Sequence, residues 1–208
     1  VVPMPAARDH KRVGEGDRGP NTGGMGAIAP VPDATPALVD EIMRRVMQPA
    51  VEGMAARGTP YVGVLFAGLM LTDDGIKTLE FNCRFGDPET QAILPLLESD
   101  LLDIFEACMD GKLTADMVRW SGGSCAAVVL AAQNYPGEPR RGDAISLPES
   151  LPGNAVIFHA GTAIKNGKLV THGGRVLAVA ARGAELTAAL NTAYAVVAQV
   201  QFEGMQYR

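Results

Sequence analysis

Three polar side chains at alternating positions, Glu80, Asn82 and Arg84, form the most chemically suggestive pattern in the sequence. Alternate residues of a β-strand project from the same face, so a strand here would bring all three side chains together. A carboxylate and an amide oxygen suit a hard cation such as Mg2+, which prefers oxygen ligands. The guanidinium of Arg84 could meet an anion that the same cation touches, such as a phosphate. The spacing therefore indicates a site for a metal-bound phosphate.

The residues on either side of this pattern predict the elements that would position it. An apolar run over residues 61–72 and the turn sequence Asp73-Asp74-Gly75 indicate a hairpin that leads into the strand. After the strand, Gly86 lets the backbone turn, Asp87 can cap a helix and Pro88 fits the first helical position. A hairpin with a polar face and a capped helix is also an ordinary structural pattern, and the residue types alone leave that alternative open.

A second polar segment, residues 8–26, contains almost no apolar side chains. Basic residues within positions 8–12 precede a run of glycines, whose bare backbone N–H groups can approach an oxyanion closely. The segment is not a Walker P-loop, because no GxxxxGK[ST] sequence occurs in it. It therefore favours anion contact, although a mobile surface loop is the alternative that such a composition also fits.

The strings in which these residues occur are more specific than their types. The run Glu80-Phe81-Asn82-Cys83-Arg84-Phe85-Gly86-Asp87-Pro88-Glu89 resembles a signature of the phosphoribosylamine–glycine ligase (glycinamide ribonucleotide synthetase) family, ATP-grasp ligases of purine biosynthesis. The run Asp9-His10-Lys11-Arg12, followed by Gly19-Pro20-Asn21-Thr22-Gly23-Gly24-Met25-Gly26, resembles a second signature, and Gly173-Gly174-Arg175-Val176 matches a third segment. The resemblance extends over essentially the whole chain.

This resemblance implies an α+β fold: the C-terminal part of an ATP-grasp core, followed by a small mixed α/β C-terminal domain. We expect a partial ATP-grasp domain with the substrate loop and metal site over residues 1–117, and the C-terminal domain over residues 118–208. Because the sequence begins at Val1 rather than at a methionine and both ends look cut, we expect a fragment without the family's N-terminal domain and ATP lid. We expect this isolated chain to be inactive.

The function implied is an enzymatic one. The family joins glycine to 5-phosphoribosylamine through a glycyl phosphate, giving glycinamide ribonucleotide, ADP and phosphate, with ATP as co-substrate and Mg2+ (or Mn2+) as cofactor. Carried over by position, the resemblance implies Glu80 and Asn82 as metal ligands, Arg84 and Asp87 as catalytic residues, and Asp9, Lys11, Asn21, Thr22, Gly24 and Arg175 as substrate-binding residues. Arg84 would stabilise the transferring phosphoryl group, Asp87 would hold an amino group, and Arg175 would bind the ribose 5-phosphate.

Two other functions remain open from the sequence. Another ATP-grasp carboxylate–amine ligase would share the Glu-x-Asn pair but should lack the glycine-rich string at 19–26. A non-catalytic substrate-binding module would keep the contacts without turnover. The chain has 208 residues and a net charge of −5, which argues against a nucleic-acid surface. Three cysteines without CxxC spacing and the lack of a membrane-length apolar run predict a cytoplasmic protein without membrane contact. We expect a monomer.

Hydrophobic periodicity predicts the remaining elements. A helix over residues 36–57 should bury a four-residue stripe and kink at Pro49. The stripe consists of Leu38, Ile42, Val46, Ala50 and Met54. Further helices are expected over residues 88–94, from residue 99 to Gly111, and over residues 185–200. Strands are expected over residues 125–132, 155–164, 168–171 and 175–181, with Asn166-Gly167 as a hairpin turn. His159 and His172 do not have the spacing of a zinc pair.

Overall fold

The computed structural model describes residues 1–208, which divide into two units whose segments alternate along the sequence. Unit 1 comprises Val1–Ala6, Val31–Gly86 and Leu97–Ser121. Unit 2 comprises Ala7–Pro30, Asp87–Leu96 and Gly122–Arg208. The division into residues 1–117 and 118–208 refers to the domains of the family and stays a prediction.

The elements are short, and no helix is both long and apolar enough to cross a membrane. The strands are β1 (Arg8–Asp9), β2 (Arg12–Gly14), β3 (Arg18–Asn21), β4 (Gly26–Ala29), β5 (Phe66–Thr72), β6 (Gly75–Asn82), β7 (Ser124–Ala131), β8 (Ala155–His159), β9 (Thr162–Lys165), β10 (Lys168–Thr171) and β11 (Arg175–Gly183). The α-helices are α1 (Pro36–Ile42), α2 (Gln48–Ala56), α3 (Glu89–Ile93), α4 (Leu101–Met109) and α5 (Leu186–Val197). A π-helical turn spans Met43–Met47, and 3-10 turns span Leu94–Leu96 and Ala115–Met117.

Unit 2 is built on an antiparallel sheet with the strand order β1-β4-β7-β11-β8. Every residue of β7 after Ser124 is buried, so both faces of this strand are covered, as its continuous apolar run predicts. The helix α5 packs against β7 and β11, and α3 packs against β4 and β7. The core joins the two central strands to α5 through side chains such as Leu130, Leu177 and Val196. Their burial, together with that of their neighbours, supplies the hydrophobic stabilisation that holds this unit together.

The hairpin predicted at Asn166-Gly167 is confirmed, since β9 and β10 pair antiparallel on either side of it. Both turn residues have positive φ, 51° and 74°, which is the geometry that this dipeptide favours. The single strand predicted over residues 155–164 is wrong. It is divided into β8 and β9 because the chain approaches its own backbone at Gly161, where a Cβ would lie 2.6 Å from Gly173 Cα. The helix expected over residues 185–200 is present as α5, in which Ala193 is buried and Tyr194 is exposed.

Unit 1 contains the predicted long helix as α1, the π-helical turn and α2. The side chain of Thr35 caps its start, accepting a hydrogen bond of 3.3 Å from the Leu38 N–H. The π turn ends just before Pro49, which has no N–H to donate to the preceding turn, so a wider turn accommodates it. The predicted stripe is half-buried rather than buried. No residue of this helix is fully buried, and the first four stripe residues are half-buried, including Ala50 beyond the π turn. Met54, the last of the stripe, is 41% exposed.

The other elements of unit 1 agree with the sequence patterns. Strands β5 and β6 pair antiparallel around a turn at residues 73–74, with Thr72 opposite Gly75. The side chain of Asp100 caps α4 by accepting a hydrogen bond of 2.8 Å from the Leu102 N–H. The expected end of this helix at Gly111 is supported by that residue's φ of 68°.

The three cysteines differ in exposure, and this difference predicts their reactivity. Cys83 is exposed, whereas Cys125 lies at the start of the buried strand β7. Burial raises the pKa of the Cys125 thiol to about 11, so almost none of it is thiolate near neutral pH. We expect iodoacetamide at pH 8 to alkylate Cys83 rapidly and to leave Cys125 unmodified in the folded chain, as followed by peptide mass spectrometry. Urea-unfolded chain is the control, and equal labelling of both thiols in folded protein would contradict this assignment.

Candidate functional site

The predicted metal pair lies on β6 in unit 1. The Asn82 side-chain amide donates a hydrogen bond of 3.2 Å to Glu80 Oε1, which confirms that the two side chains share one face. The Glu80 side chain is exposed and that of Asn82 is half-buried. Two oxygen-bearing side chains on an open strand face suit a cation that is also held by phosphate oxygens, the usual arrangement for Mg2+. No group of three or more His, Cys, Asp and Glu side chains that could hold a metal ion occurs in the chain.

A β-bulge beside this pair helps to position Glu80. Gly68 pairs with Glu80 and Leu69 pairs with Thr78, so Leu79 is an extra residue in β6. Such a bulge redirects the side chains that follow it. A Cβ on Gly68 would lie only 3.1 Å from Glu80 Cγ, so a glycine at this position leaves room for the glutamate.

Arg84 does not share the strand face predicted for it. Strand β6 ends at Asn82, opposite Phe66, and the residues after it form a bend. The alternation of side chains therefore does not reach Arg84, whose guanidinium donates a hydrogen bond of 2.8 Å to the Phe85 carbonyl. Phe85 is itself in contact with Phe105 of α4, with ring centroids 6.2 Å apart. The bend that contains Arg84 thus packs against α4 through the neighbouring Phe85.

The second candidate region, residues 8–26, forms strands β1–β4 of unit 2 rather than an open loop. Residues 10–11, residues 15–17 and the turn at residues 22–25 connect these strands. Thr22 organises that turn, because its N–H and its hydroxyl both donate to the Lys11 carbonyl, at 2.7 and 2.8 Å. The same hydroxyl accepts a hydrogen bond of 2.9 Å from the Gly24 N–H. Asn21 is exposed at the end of β3, where it pairs with Arg12.

Gly24 occupies a position that only glycine fits. Its φ of 125° is rare for residues with a side chain. A Cβ there would lie 2.6 Å from Asp9 Oδ1 and would overlap Pro88 Cδ. The bare Cα of Gly24 thus allows the Asp9 carboxylate and the start of α3 to lie against the turn.

Arg175, at the start of β11, joins three distant segments of unit 2. Its Nη1 donates to the Gly23 carbonyl at 2.9 Å and to the Asp87 carbonyl at 2.8 Å, and its Nη2 donates to Asp87 Oδ2 at 2.9 Å. The side chain is 22% exposed. Tyr135 supports the same turn, since its hydroxyl accepts a hydrogen bond of 2.9 Å from the Gly23 N–H. We call this arrangement of Arg175, Gly23 and Asp87 the arginine clamp.

Asp87 does not cap α3 as expected. The helix begins at Glu89, Pro88 occupies the N-cap position, and no side chain caps it. Both oxygens of the Asp87 carboxylate are engaged elsewhere, Oδ2 with Arg175 and Oδ1 with the side-chain amide of Gln91, each at 2.9 Å. The carboxylate that the sequence assigns to capping is therefore part of the arginine clamp.

The carboxylates of Asp9 and Glu89, in unit 2, are buried. The Asp9 side chain is 7% exposed and is in ion-pair contact with Lys11. Burial raises the pKa of Asp9, and the charges of Lys11 and Arg175 partly offset this effect. Glu89 is 6% exposed, and its pKa is also raised, first by burial and further by the charge of Asp9, while its own backbone N–H opposes the shift.

The sequence analysis includes Asp9 and Lys11 among the substrate-binding residues but neither Glu89 nor Tyr135. Glu89 directly follows Asp87-Pro88 in the signature, so its place in that string is the available signal. Nothing in the residues around Tyr135 indicates its contact with Gly23. His159 is explained locally, since its Nδ1 lies 3.1 Å from Thr162 Oγ1.

Comparison with protein families and sequences gives one result over the whole chain. Residues 1–90 match the model described as phosphoribosylglycinamide synthetase, ATP-grasp (A) domain, and residues 125–208 match the model described as phosphoribosylglycinamide synthetase, C domain. A phosphoribosylamine–glycine ligase of Synechocystis sp. is 50% identical over 100% of this chain and 50% of its own length. The human trifunctional purine biosynthetic protein adenosine-3 is 52% identical over 100% of this chain and 21% of its own length.

Solved structures agree with the sequence comparisons. The crystal structure of phosphoribosylamine–glycine ligase from Thermotoga maritima has a TM-score of 0.86 and 41% identity, covering 100% of this chain and 51% of that one. A pyruvate carboxylase of Rhizobium etli has a TM-score of 0.62 at 14% identity, over 88% of this chain and 19% of that one, which is a likeness of fold alone. The α+β fold predicted from the sequence is confirmed. The chain spans about half the length of the curated ligases it matches.

The arginine clamp yields a prediction about the rigidity of the Thr22–Gly24 turn. Lysine keeps the charge of Arg175 but offers one ammonium in place of a planar fork, so Arg175→Lys should lose at least one of the three hydrogen bonds. We expect amide hydrogen exchange at Gly23 and Gly24 to accelerate roughly tenfold, which corresponds to the loss of about 1.4 kcal/mol of local stability. The exposed Arg141→Lys is the matched control. Unchanged exchange at both glycines in Arg175→Lys would show that the clamp does not hold the turn.

Proposed function

The chain belongs to the phosphoribosylglycinamide synthetase family, and we propose that the complete protein ligates glycine to 5-phosphoribosylamine with cleavage of ATP. The observation that carries this proposal is the match over the whole chain, at 50% identity, to a phosphoribosylamine–glycine ligase. The family's ATP-grasp fold implies the use of ATP and a divalent metal ion. The substrates and the reaction are proposals for this protein, since its relatives are about twice as long.

The chemistry requires activation of a poor electrophile. The glycine carboxylate attacks the γ-phosphorus of ATP, so a carboxyl O–P bond forms, the β–γ bridge O–P bond breaks, and ADP leaves. The amine of phosphoribosylamine then attacks the carbonyl carbon of the glycyl phosphate, forming the C–N bond as phosphate departs with the electron pair of the C–O bond. Catalysis of such transfers depends mostly on positioning and on neutralising negative charge.

The residues of β6 fit the metal that this chemistry needs. Glu80 and Asn82 would hold Mg2+ (or Mn2+) together with the ATP phosphates, and this donor set of one carboxylate and one amide oxygen is typical for Mg2+. When bound, the ion would neutralise charge on the transferring phosphoryl group. Arg84, on the bend directly after the strand, would contribute a second positive charge to the same group or to the acyl phosphate. Its exposed position supports this role.

The substrate-binding assignments follow the clamp and the turn. Asp9, Lys11, Asn21, Thr22 and Gly24 would line the phosphoribosylamine site, with Thr22 and Gly24 shaping the turn. A guanidinium carries five N–H donors, and Arg175 makes three hydrogen bonds to Gly23 and Asp87. The remaining N–H groups would donate hydrogen bonds to the ribose 5-phosphate while the clamp stays closed. To bind a substrate amino group, the Asp87 carboxylate would have to give up its hydrogen bond from Arg175 or from Gln91. We therefore propose that the main role of Asp87 is to orient Arg175.

The complete reaction is tested by measuring ADP release from the complete purified protein. We expect release only when Mg-ATP, glycine and phosphoribosylamine are all present. Turnover with another carboxylate or amine in place of these two would instead identify a different ATP-grasp ligase, and binding without turnover would identify a substrate-binding module.

The metal assignment is tested by Asn82→Leu in the same protein. Leucine has a similar size but no oxygen, so we expect kcat/KM for Mg-ATP to fall by at least about 10-fold, since even changes around metal ligands cost 10–100-fold. The fold should be unaffected, as judged by circular dichroism. The matched control is Asn191→Leu at an exposed position of α5, which should retain wild-type turnover. Wild-type kinetics in Asn82→Leu would disprove the role of Asn82 as a ligand.

A further inference from the structure

Two carboxylates of unit 2, those of Asp9 and Glu89, are buried. Asp9 has so far been assigned only to the lining of the phosphoribosylamine site, and Glu89 has been given no role. Both Asp9 oxygens are buried, and neither has a hydrogen-bond partner, although the Lys11 ammonium lies against Oδ2. With its side chain 7% exposed, Asp9 is a buried acceptor whose charged contact is Lys11 and whose Oδ1 has no donor. Buried acceptors of this kind are rare in folded proteins, because burying an unpaired polar atom is costly. The carboxylate therefore has room for a further hydrogen-bond donor.

The Asp9 carboxylate lies against the Thr22–Gly24 turn. Its oxygens are 2.6 and 3.0 Å from where a Cβ on Gly24 would be. Pro88, the residue before Glu89, lies against the same Cα. The bare Cα of Gly24 thus lets the Asp9 carboxylate and the start of the segment that carries Glu89 lie against one turn.

The charges around the cluster are unbalanced. The positive charges of Lys11, Arg175 and His10 act to lower the pKa of Asp9. The negative charges of Asp9 and Asp87 raise the pKa of Glu89, and the positive charge of Lys11 opposes them. Because Arg175 is paired with Asp87, Lys11 is the cation in direct contact with this cluster. Two buried carboxylates with one cation favour a further group that is positively charged or rich in N–H donors.

Asp87 is less suited to receive such a group. Its carboxylate is 51% exposed, and both oxygens already accept hydrogen bonds, from Arg175 and from Gln91. Among the three carboxylates near the turn, Asp9 is therefore the one with acceptor capacity to spare, and Glu89 is its buried neighbour.

We propose that Asp9 and Glu89 bind the amino group of phosphoribosylamine and that Glu89 accepts its proton during ligation. This inference rests on the proposed function and assigns the attacking amine to a specific subsite. As the amine nitrogen bonds to the carbonyl carbon of glycyl phosphate, phosphate leaves with the C–O electron pair. The proton released from nitrogen passes to a Glu89 carboxylate oxygen and then to solvent. Asp9 orients the amine through its second N–H.

The electrostatics support this division of roles. Burial and the charge of Asp9 raise the pKa of Glu89 above its ordinary value, which makes the glutamate a stronger base than an exposed one. A base must be deprotonated to act, so kcat/KM for phosphoribosylamine should fall as the pH is lowered through this pKa.

The test uses Glu89→Gln in the complete protein and two acceptors for the glycyl group. Hydroxylamine is a strong, small nucleophile that is unprotonated at neutral pH, so it can trap glycyl phosphate as glycine hydroxamate without a base. We expect Glu89→Gln to form hydroxamate from ATP, glycine and hydroxylamine at the wild-type rate. Ligation to phosphoribosylamine should fall roughly 100-fold or more, the usual contribution of a general base, and the acidic limb of the pH profile should disappear.

Controls separate the possible failures. The exposed Glu149→Gln should behave as wild type in both assays. Wild-type protein that forms no hydroxamate would refute the proposed function itself. Wild-type ligation by Glu89→Gln, or equal loss of both activities in a folded variant, would overturn the inference alone. If Glu89→Gln does not fold, Asp9→Asn decides: a raised KM for phosphoribosylamine with hydroxamate formation retained supports the subsite, and an unchanged KM refutes it.

Discussion

The guanidinium of Arg175 is the contact on which the candidate substrate site of unit 2 depends. From the first position of β11, it donates hydrogen bonds to Asp87, 88 positions away in the chain, and to Gly23, 152 positions away. Planar donors that bind two groups at fixed angles determine orientation as well as distance. The arginine therefore sets where the Thr22–Gly24 turn and the start of α3 lie relative to the central sheet. Tyr135 supports the same turn from another segment.

The clamp also explains how three nearby carboxylates come to differ. The Asp87 carboxylate accepts hydrogen bonds from Arg175 and from the side-chain amide of Gln91. Asp9 and Glu89 are buried, and their pKa values are raised because burial disfavours the charged form. The three carboxylates thus differ in burial and in hydrogen bonding, and burial raises the pKa of two of them. Under the proposed function, such a difference would suit a site for both a phosphate and an amine, since the two groups need opposite charges around them.

Local patterns predicted the elements well where one short-range signal dominated. The alternation around Glu80, the apolar run of β7 and the Asn166-Gly167 turn each depend on residues within a few positions, and the structure contains all three. The predictions that failed depend on distant contacts. The strand containing Glu80 ends before Arg84 because its partner strand ends at Phe66, which no pattern near residue 84 reveals. The burial of Glu89 and the pairing of Asp87 with Arg175 likewise arise from tertiary structure.

The alternation of the two units along the sequence constrains how this protein can be divided or evolve. Unit 1 takes its residues from three separate stretches, and so does unit 2. Neither unit is one uninterrupted stretch of sequence, so a single break between residues 7 and 121 would divide both units. Change within the family should accordingly proceed through substitution and through insertions at surface turns, such as residues 73–74 and 166–167, rather than by exchange of modules.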